Sequence, residues 1–245
     1  MSQISLKVLD KLRTFDTPTI CNIIELFDVR PRNTGYMDRS IRACFPEMKP
    51  MVGFAATASF RASARPKQGD AYGSLAQQVE RFAELSGPPL IVFQDLDNPT
   101  VGATFGELLC TTYKVFGAVG LITSGAGRDL DQVRDIGFPI FTNSTISAHG
   151  YCHILHIHLP VHVGGVNISP DTLLHGDLNG VTTIPQDIAA ELADIGDEYI
   201  AAEAVILEAL AGENPSLKSF QEAQAEAYEC MDQLRAQVSR RPGEK

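Results

Sequence analysis

The stretch "FGELLCTTYKVFGAVGLITSGAGRDLDQV" runs from Phe105 to Val133, and how it divides decides the fold. Leu108, Leu109, Thr112, Val115 and Phe116 recur at helical spacing, and Gly117 is a natural stop, so 106–117 reads as a helix. AVGLITSG (118–125) is a short apolar run between glycines, a buried strand. RDLDQVRDIG (128–137) reads as a second helix ended by Gly137, and FPIFT (138–142) as the next strand. Helix, strand, helix, strand describes crossover units of a parallel sheet. Glu107 then opens one helix, while Arg128 and Asp129 stand between a strand end and the next helix. Both are places where α/β proteins build sites. The N–H groups of residues 107–109 have no acceptor within their own helix and face an incoming anion.

The rest of the chain extends this pattern. ISLKVLDKLR (4–13) puts Ile4, Val8, Leu9 and Leu12 on one helical stripe. Asp16 or Thr17 caps a second helix, DTPTICNIIELFDV, with Pro18 in its first turn. Residues 30–50 read as a long loop and GFAATASFRAS (53–63) as a strand. KQGDAYGSLAQQVERFAELS (67–86) reads as a Gly-Asp turn and a helix, and PPLIVFQDL (88–96) as a buried strand. From 151 onward the chain reads as all-β, with Leu155, Ile157 and Leu159 on one strand face and His156 and His158 on the other. Two helical segments follow, 186–211 and 214–240, and RRPGEK reads as a frayed tail.

Composition bounds the function. The chain has 245 residues, 44% hydrophobic and 20% charged, as soluble globular chains do. A net charge of -10 disfavours nucleic acid as a partner. The N-terminal segment has no signal-peptide character, and no apolar run reaches the length of a membrane span. Five cysteines, at 21, 44, 110, 152 and 230, form no CxxC and read as reduced thiols of a cytoplasmic protein. Cys110 lies four residues into its helix and reads as core. GxGxxG, GxxxxGK[ST] and GxSxG patterns are missing, so nucleotide binding and a serine-hydrolase elbow have no support.

Two constellations remain. The histidines 153, 156, 158 and 162 invite a zinc reading, but lack a cysteine or carboxylate at ligand spacing, and a polar strand face accounts for them better. Glu107 with Arg128 and Asp129 is the main candidate. On spacing alone, a capping carboxylate and a surface ion pair explain these three as well as a site does.

With GELL (106–109) and GAGRD (125–129), 21 residues from Glu107 to Arg128, the sequence resembles the RraA-like family. That family includes class II 4-hydroxy-4-methyl-2-oxoglutarate / 4-carboxy-4-hydroxy-2-oxoadipate aldolases and regulators of ribonuclease activity. DTPTICNII, GFAATA, GFPIF and PVHVGGVNISPDTLLHGDLNGVTTIP (160–185) carry the resemblance over most of the chain. It implies one α/β domain over 1–245, an α/β/β/α layered fold around a partly barrel-like sheet, with helices at both termini. The C-terminal helices (186–240) are expected to pack on a neighbouring subunit of a homotrimer or homohexamer.

The resemblance also implies a divalent-metal-dependent lyase. It would split 4-hydroxy-2-keto acids to pyruvate and decarboxylate oxaloacetate. Asp129 is expected to ligate Mg²⁺ or Mn²⁺ directly, with Glu203 reaching the metal waters from a neighbouring subunit. Arg128 is expected to grip the keto acid, Gly106, Leu108 and Leu109 to cradle its carboxylate, and Glu107 to orient a metal-bound water. Other readings of the same resemblance are a lyase or hydratase for sugar-acid-derived 2-keto acids, and a non-catalytic regulator that binds a protein. This chain departs from the pattern at Ser124, where an acid is common, and at Gly127, where the aldolases carry an apolar residue. It also has His149-Gly150 where a basic residue often stands beside the glycine.

Overall fold

A computed structural model describes residues 4–67 and 73–238. The expected Gly69-Asp70 turn and the RRPGEK tail lie outside the described residues.

Helices α1 (Leu6–Leu12) and α2 (Thr17–Leu26) open the chain. Asp16 caps α2, its Oδ1 accepting from the Thr19 N–H at 2.7 Å, and Pro18 sits in the first turn. Removing such a cap typically costs about 1 kcal/mol. Leu9, Leu12, Ile20, Ile23 and Ile24 are buried and seal these helices onto the sheet. The loop over 30–50 contains one short strand, β1 (Arg42–Ala43). There follow β2 (Met51–Arg61), α3 (Gly73–Glu80), β3 (Pro89–Asp95), β4 (Ala103–Phe105) and α4 (Glu107–Val115). The crossover region continues with β5 (Leu121–Thr123), β6 (Ala126–Gly127), α5 (Leu130–Asp135), β7 (Ile140–Thr142) and β8 (Ser144–Thr145). Then come β9 (His153–Leu155), the hairpin β10 (Val161–Val163) and β11 (Val166–Ile168), and the hairpin β12 (Leu173–Asp177) and β13 (Gly180–Ile184). Helices α6 (Ala189–Ala211) and α7 (Leu217–Val238) end the described chain.

The main sheet runs β1-β7-β5-β3-β2-β12-β13, with β9 also pairing on β2, and curls into a nearly closed barrel-like layer. Strands β2, β3, β5 and β7 are mutually parallel, so α4 and α5 are crossover helices as their sequence predicts. β2 is the central strand, buried from Met51 to Phe60. Its even-numbered Val52, Phe54, Ala56, Ala58 and Phe60 face the helices, whereas Met51 and Ala55 face the β10–β11 hairpin. Layers on both faces explain why β2 reads as almost continuously apolar. α6 packs on α1 and α2 of its own chain through Leu192, Ala193 and Ile195, while Ile200, Leu207 and Leu210 farther along are exposed. All five cysteines are free. Among the described residues no helix is long and apolar enough to cross a membrane.

The structure corrects the sequence reading at two places. The strand expected over 118–125 ends at Thr123, and the chain then joins a second, three-stranded parallel sheet, β4-β6-β8. Gly125 makes the step: its N–H is bound by Thr123 Oγ1 at 3.0 Å, its carbonyl by Thr142 Oγ1, and it packs against Thr104 and Asp95. A single-strand reading misses this because a two-residue strand has no period to detect.

The histidine strand also ends early, at Leu155. His156 and His158 take positive φ values of 45° and 55°, so they share no strand face. After Ser59 pairs with Leu155, the backbone leaves the ladder and returns through His158 N–H to the Thr57 carbonyl at 2.8 Å. Leu159, expected to share a strand face with Leu155 and Ile157, is exposed.

Candidate active site

The small sheet places the candidate residues. β4 runs into Gly106 and α4, and β6, its parallel neighbour, runs into Arg128, Asp129 and α5. The Arg128 N–H bonds to the Phe105 carbonyl at 3.1 Å, locking the two segments in register. Asp129 adopts φ 55°, a left-handed conformation that Asp tolerates better than most residues. The turn brings its carboxylate to the start of α4, where Oδ2 accepts from the Glu107 N–H at 3.1 Å. Arg128 Nε lies 3.7 Å from the same oxygen. Glu107, Arg128 and Asp129 therefore meet, as the sequence predicts.

Gly106 makes this approach possible. A Cβ there would stand 2.6 Å from Asp129 Oδ2 and 3.1 Å from Arg128 Nε. Of the three N–H groups expected to be open, that of Glu107 is occupied by Asp129. Those of Leu108 and Leu109 lie in the first turn, beyond the reach of any intrahelical acceptor. The helix dipole adds partial positive charge at the same point.

These residues line a cavity of about 140 Å³. Gly106, Glu107, Leu108, Leu109, Arg128 and Asp129 form one part of its wall. Phe60, Phe105, His149, Cys152, His153 and Ile154 contribute much of the rest. Cys110, beneath the wall, is fully buried, and burial raises its thiol pKa far above the usual range. It is core, as its position in the helix implies. Glu203 is absent from this cavity; it lies on α6 and accepts from the Tyr199 hydroxyl at 2.9 Å.

Ser124 serves the scaffold, its Oγ accepting from the Asp95 N–H at 2.9 Å. The space above Gly127 is filled by the Phe105 ring, which any Cβ at 127 would enter. The apolar bulk expected at 127 is thus supplied from β4.

The histidines separate. His156 Nδ1 meets Ser59 Oγ at 3.1 Å, His158 Nδ1 lies 3.6 Å from Glu84, and His162 Nδ1 meets Asn167 Oδ1 at 2.8 Å. His153 alone of the four reaches the cavity. Sequence reading missed it by treating the four as one group. Its place just after the His149-Gly150 turn was the available signal.

A profile of the RraA-like family (Aldolase/RraA) matches residues 17–183. The chain belongs to the RraA-like family. A Halalkalibacterium halodurans protein named "Putative 4-hydroxy-4-methyl-2-oxoglutarate aldolase" is 33% identical over 102 residues, which cover 41% of this chain and 49% of that protein. Protein DlpA of Legionella pneumophila is 25% identical over 132 residues, 53% of this chain and 21% of that protein. The matches therefore span half or less of these relatives. An uncharacterized protein from Pseudomonas syringae shares the fold with a TM-score of 0.70 at 19% identity, covering 91% of this chain and 95% of that one. Streptomyces coelicolor RraAS2, described as an unusual member of the RNase ES inhibitor RraA family, follows at 0.64 and 22% identity, covering 82% and 96%.

Proposed function

We propose that this RraA-like protein is a divalent-metal-dependent lyase that cleaves 4-hydroxy-2-keto acids to pyruvate and decarboxylates oxaloacetate. The observation that carries this is the meeting, in one small cavity, of the Arg128 guanidinium, the Asp129 carboxylate and the start of α4. The name of the H. halodurans relative supports the same chemistry.

The donor set suits Mg²⁺ or Mn²⁺. Among the described residues no three His, Cys, Asp or Glu side chains cluster, so zinc has no ligand cage here. Asp129 lines the cavity and uses Oδ2 toward the Glu107 N–H, so its carboxylate offers a hard oxygen as ligand. A cation that keeps several waters matches such a sparse set. Asp129 would hold it directly, with Glu107 and a neighbouring copy's Glu203 reaching its waters in a homotrimer or homohexamer. When bound, the ion supplies positive charge beside the enolate oxygen that either reaction generates.

The chain's own groups do the rest. The N–H groups of Leu108 and Leu109 bind the substrate's C1 carboxylate at the helix start. Arg128 clamps the planar keto acid and stabilises charge growing on the C2 oxygen. The apolar wall of Phe60, Phe105 and Ile154 excludes water from the reacting carbons.

The test is pyruvate release from 4-hydroxy-4-methyl-2-oxoglutarate and from oxaloacetate with Mg²⁺, repeated with EDTA and with Asp129→Ala. Both EDTA and the substitution are expected to abolish turnover. EDTA-resistant turnover removes the metal from the scheme, and no turnover of any 4-hydroxy-2-keto acid or oxaloacetate rejects the lyase reading.

A further inference from the structure

We propose that His153 is the base that takes the proton from the substrate's C4 hydroxyl, a step that only the cleavage of hydroxylated 2-keto acids requires. The inference rests on the lyase reading above.

His153 is nine-tenths buried and lines the cavity that Arg128 and Asp129 also line. Its Nδ1 stands 2.9 Å from the Tyr151 carbonyl oxygen. A carbonyl only accepts, so Nδ1 carries the hydrogen, and in the neutral ring Nε2 is a bare acceptor. The ring as a whole lines the cavity, so Nε2 is the nitrogen left for substrate. Fixing one ring nitrogen on a carbonyl to leave the other as a base is how imidazole is oriented for proton transfer.

The surrounding turn holds the ring in place. Tyr151 N–H bonds to the Ala62 carbonyl at 2.9 Å, and Cys152 N–H to the His149 carbonyl at 3.1 Å. The Asp97 carboxylate in turn accepts from Ala62 and Ser63 N–H at 2.7 and 3.0 Å. Gly150 takes φ 56°, and a Cβ there would press on the Ala62 carbonyl at 2.8 Å. Glu107, by contrast, is exposed on the first turn of α4.

The step balances. The hydroxyl proton moves to Nε2 and the O–H electron pair forms the C4 carbonyl. The C3–C4 bond breaks, its pair forms the C2–C3 double bond, and the C2 oxygen becomes the enolate beside Arg128. Protonation at C3 gives pyruvate, and the proton held by the imidazolium closes the count. Oxaloacetate reaches the same enolate by losing carbon dioxide, with no hydroxyl proton to remove, so it does not need this base.

Wild type, His153→Gln and His153→Phe are assayed with Mg²⁺ on both substrates. The kcat for 4-hydroxy-4-methyl-2-oxoglutarate is expected to fall on the order of 100-fold or more in both variants, a much larger loss than that on oxaloacetate. Gln still hydrogen-bonds the hydroxyl and keeps KM, whereas Phe raises it. Far-UV circular dichroism and thermal melting certify that the variants fold. Equal loss on both substrates, or no loss on either, overturns the role of His153 and leaves the lyase standing. A wild type inert on both substrates rejects the lyase and this inference together. Nitrogen-15 NMR of the imidazole at pH 8 gives a reading independent of turnover: the Nδ1–H tautomer is expected, and an Nε2–H form overturns the proposal.

Discussion

Gly106 and Gly127 carry the tightest constraints at the site, and each gives a sharp expectation. A methyl group at 106 must displace the Asp129 carboxylate or the Arg128 guanidinium. Gly106→Ala should therefore cost activity on the order of 100-fold, the usual result of a shift of about 1 Å in a positioned group. Thermal melting of the variant should change little by comparison. Gly127→Val places its side chain in the Phe105 ring. Overpacking of that kind costs about 1–3 kcal/mol in urea unfolding, and Phe105→Ala in the same chain should recover part of it. The acid and arginine positions were legible only through the family resemblance, because charged helix starts and surface ion pairs have ordinary uses that spacing alone does not separate from a site. Phe105 was not, since nothing in a linear pattern shows which ring fills the space over a distant glycine. His153 was legible only as one of four similar residues, and only the fold separates it from His156, His158 and His162.

Helices and long strands were read well, because one-sided burial leaves a period and two-sided burial a continuous apolar run. The two-residue strands of the small sheet, and the turn at 156–159, carry too few positions for any period and depend on hydrogen bonds from distant segments. Thr142 to Gly125 and His158 to Thr57 are examples. The end of α4 tests how much a single backbone conformation contributes. Gly117 has φ 93°, and a Cβ there would meet nothing within 4 Å. Gly117→Ala thus isolates the left-handed penalty from any clash. It should destabilise the protein by about 1 kcal/mol in urea titration, with turnover intact.

The whole molecule is fastened at its N-terminal end by His175, fully buried in β12. Its Nε2–H donates to the Leu12 carbonyl at 3.2 Å, and its Nδ1 accepts from the Thr17 hydroxyl at 3.0 Å, tying α1 and α2 to the barrel. Asp177 adds a bond from the Thr17 N–H at 3.0 Å. Burial lowers the His175 pKa from the ordinary 6.5 to about 4. The unfolded chain therefore binds a proton in that window that the folded chain refuses, so stability is full above pH 6.5 and falls as pH drops toward 4. The loss should reach roughly 3 kcal/mol. Urea unfolding at pH 7 and 4.5 checks it, and His175→Gln should flatten the slope.

The separation of the small sheet from the barrel has its own consequence. Strands β4, β6 and β8, two or three residues each, support the site, while the long β2 and β3 hold the core. Local opening needs only the few bonds of such short ladders to break, so the amides of Arg128 and Ile146 should exchange with deuterium well before that of Ile91. The chemistry then rides on a pliant ledge whose ladder opens first, although Phe105 roots it in the same core as β2 and β3.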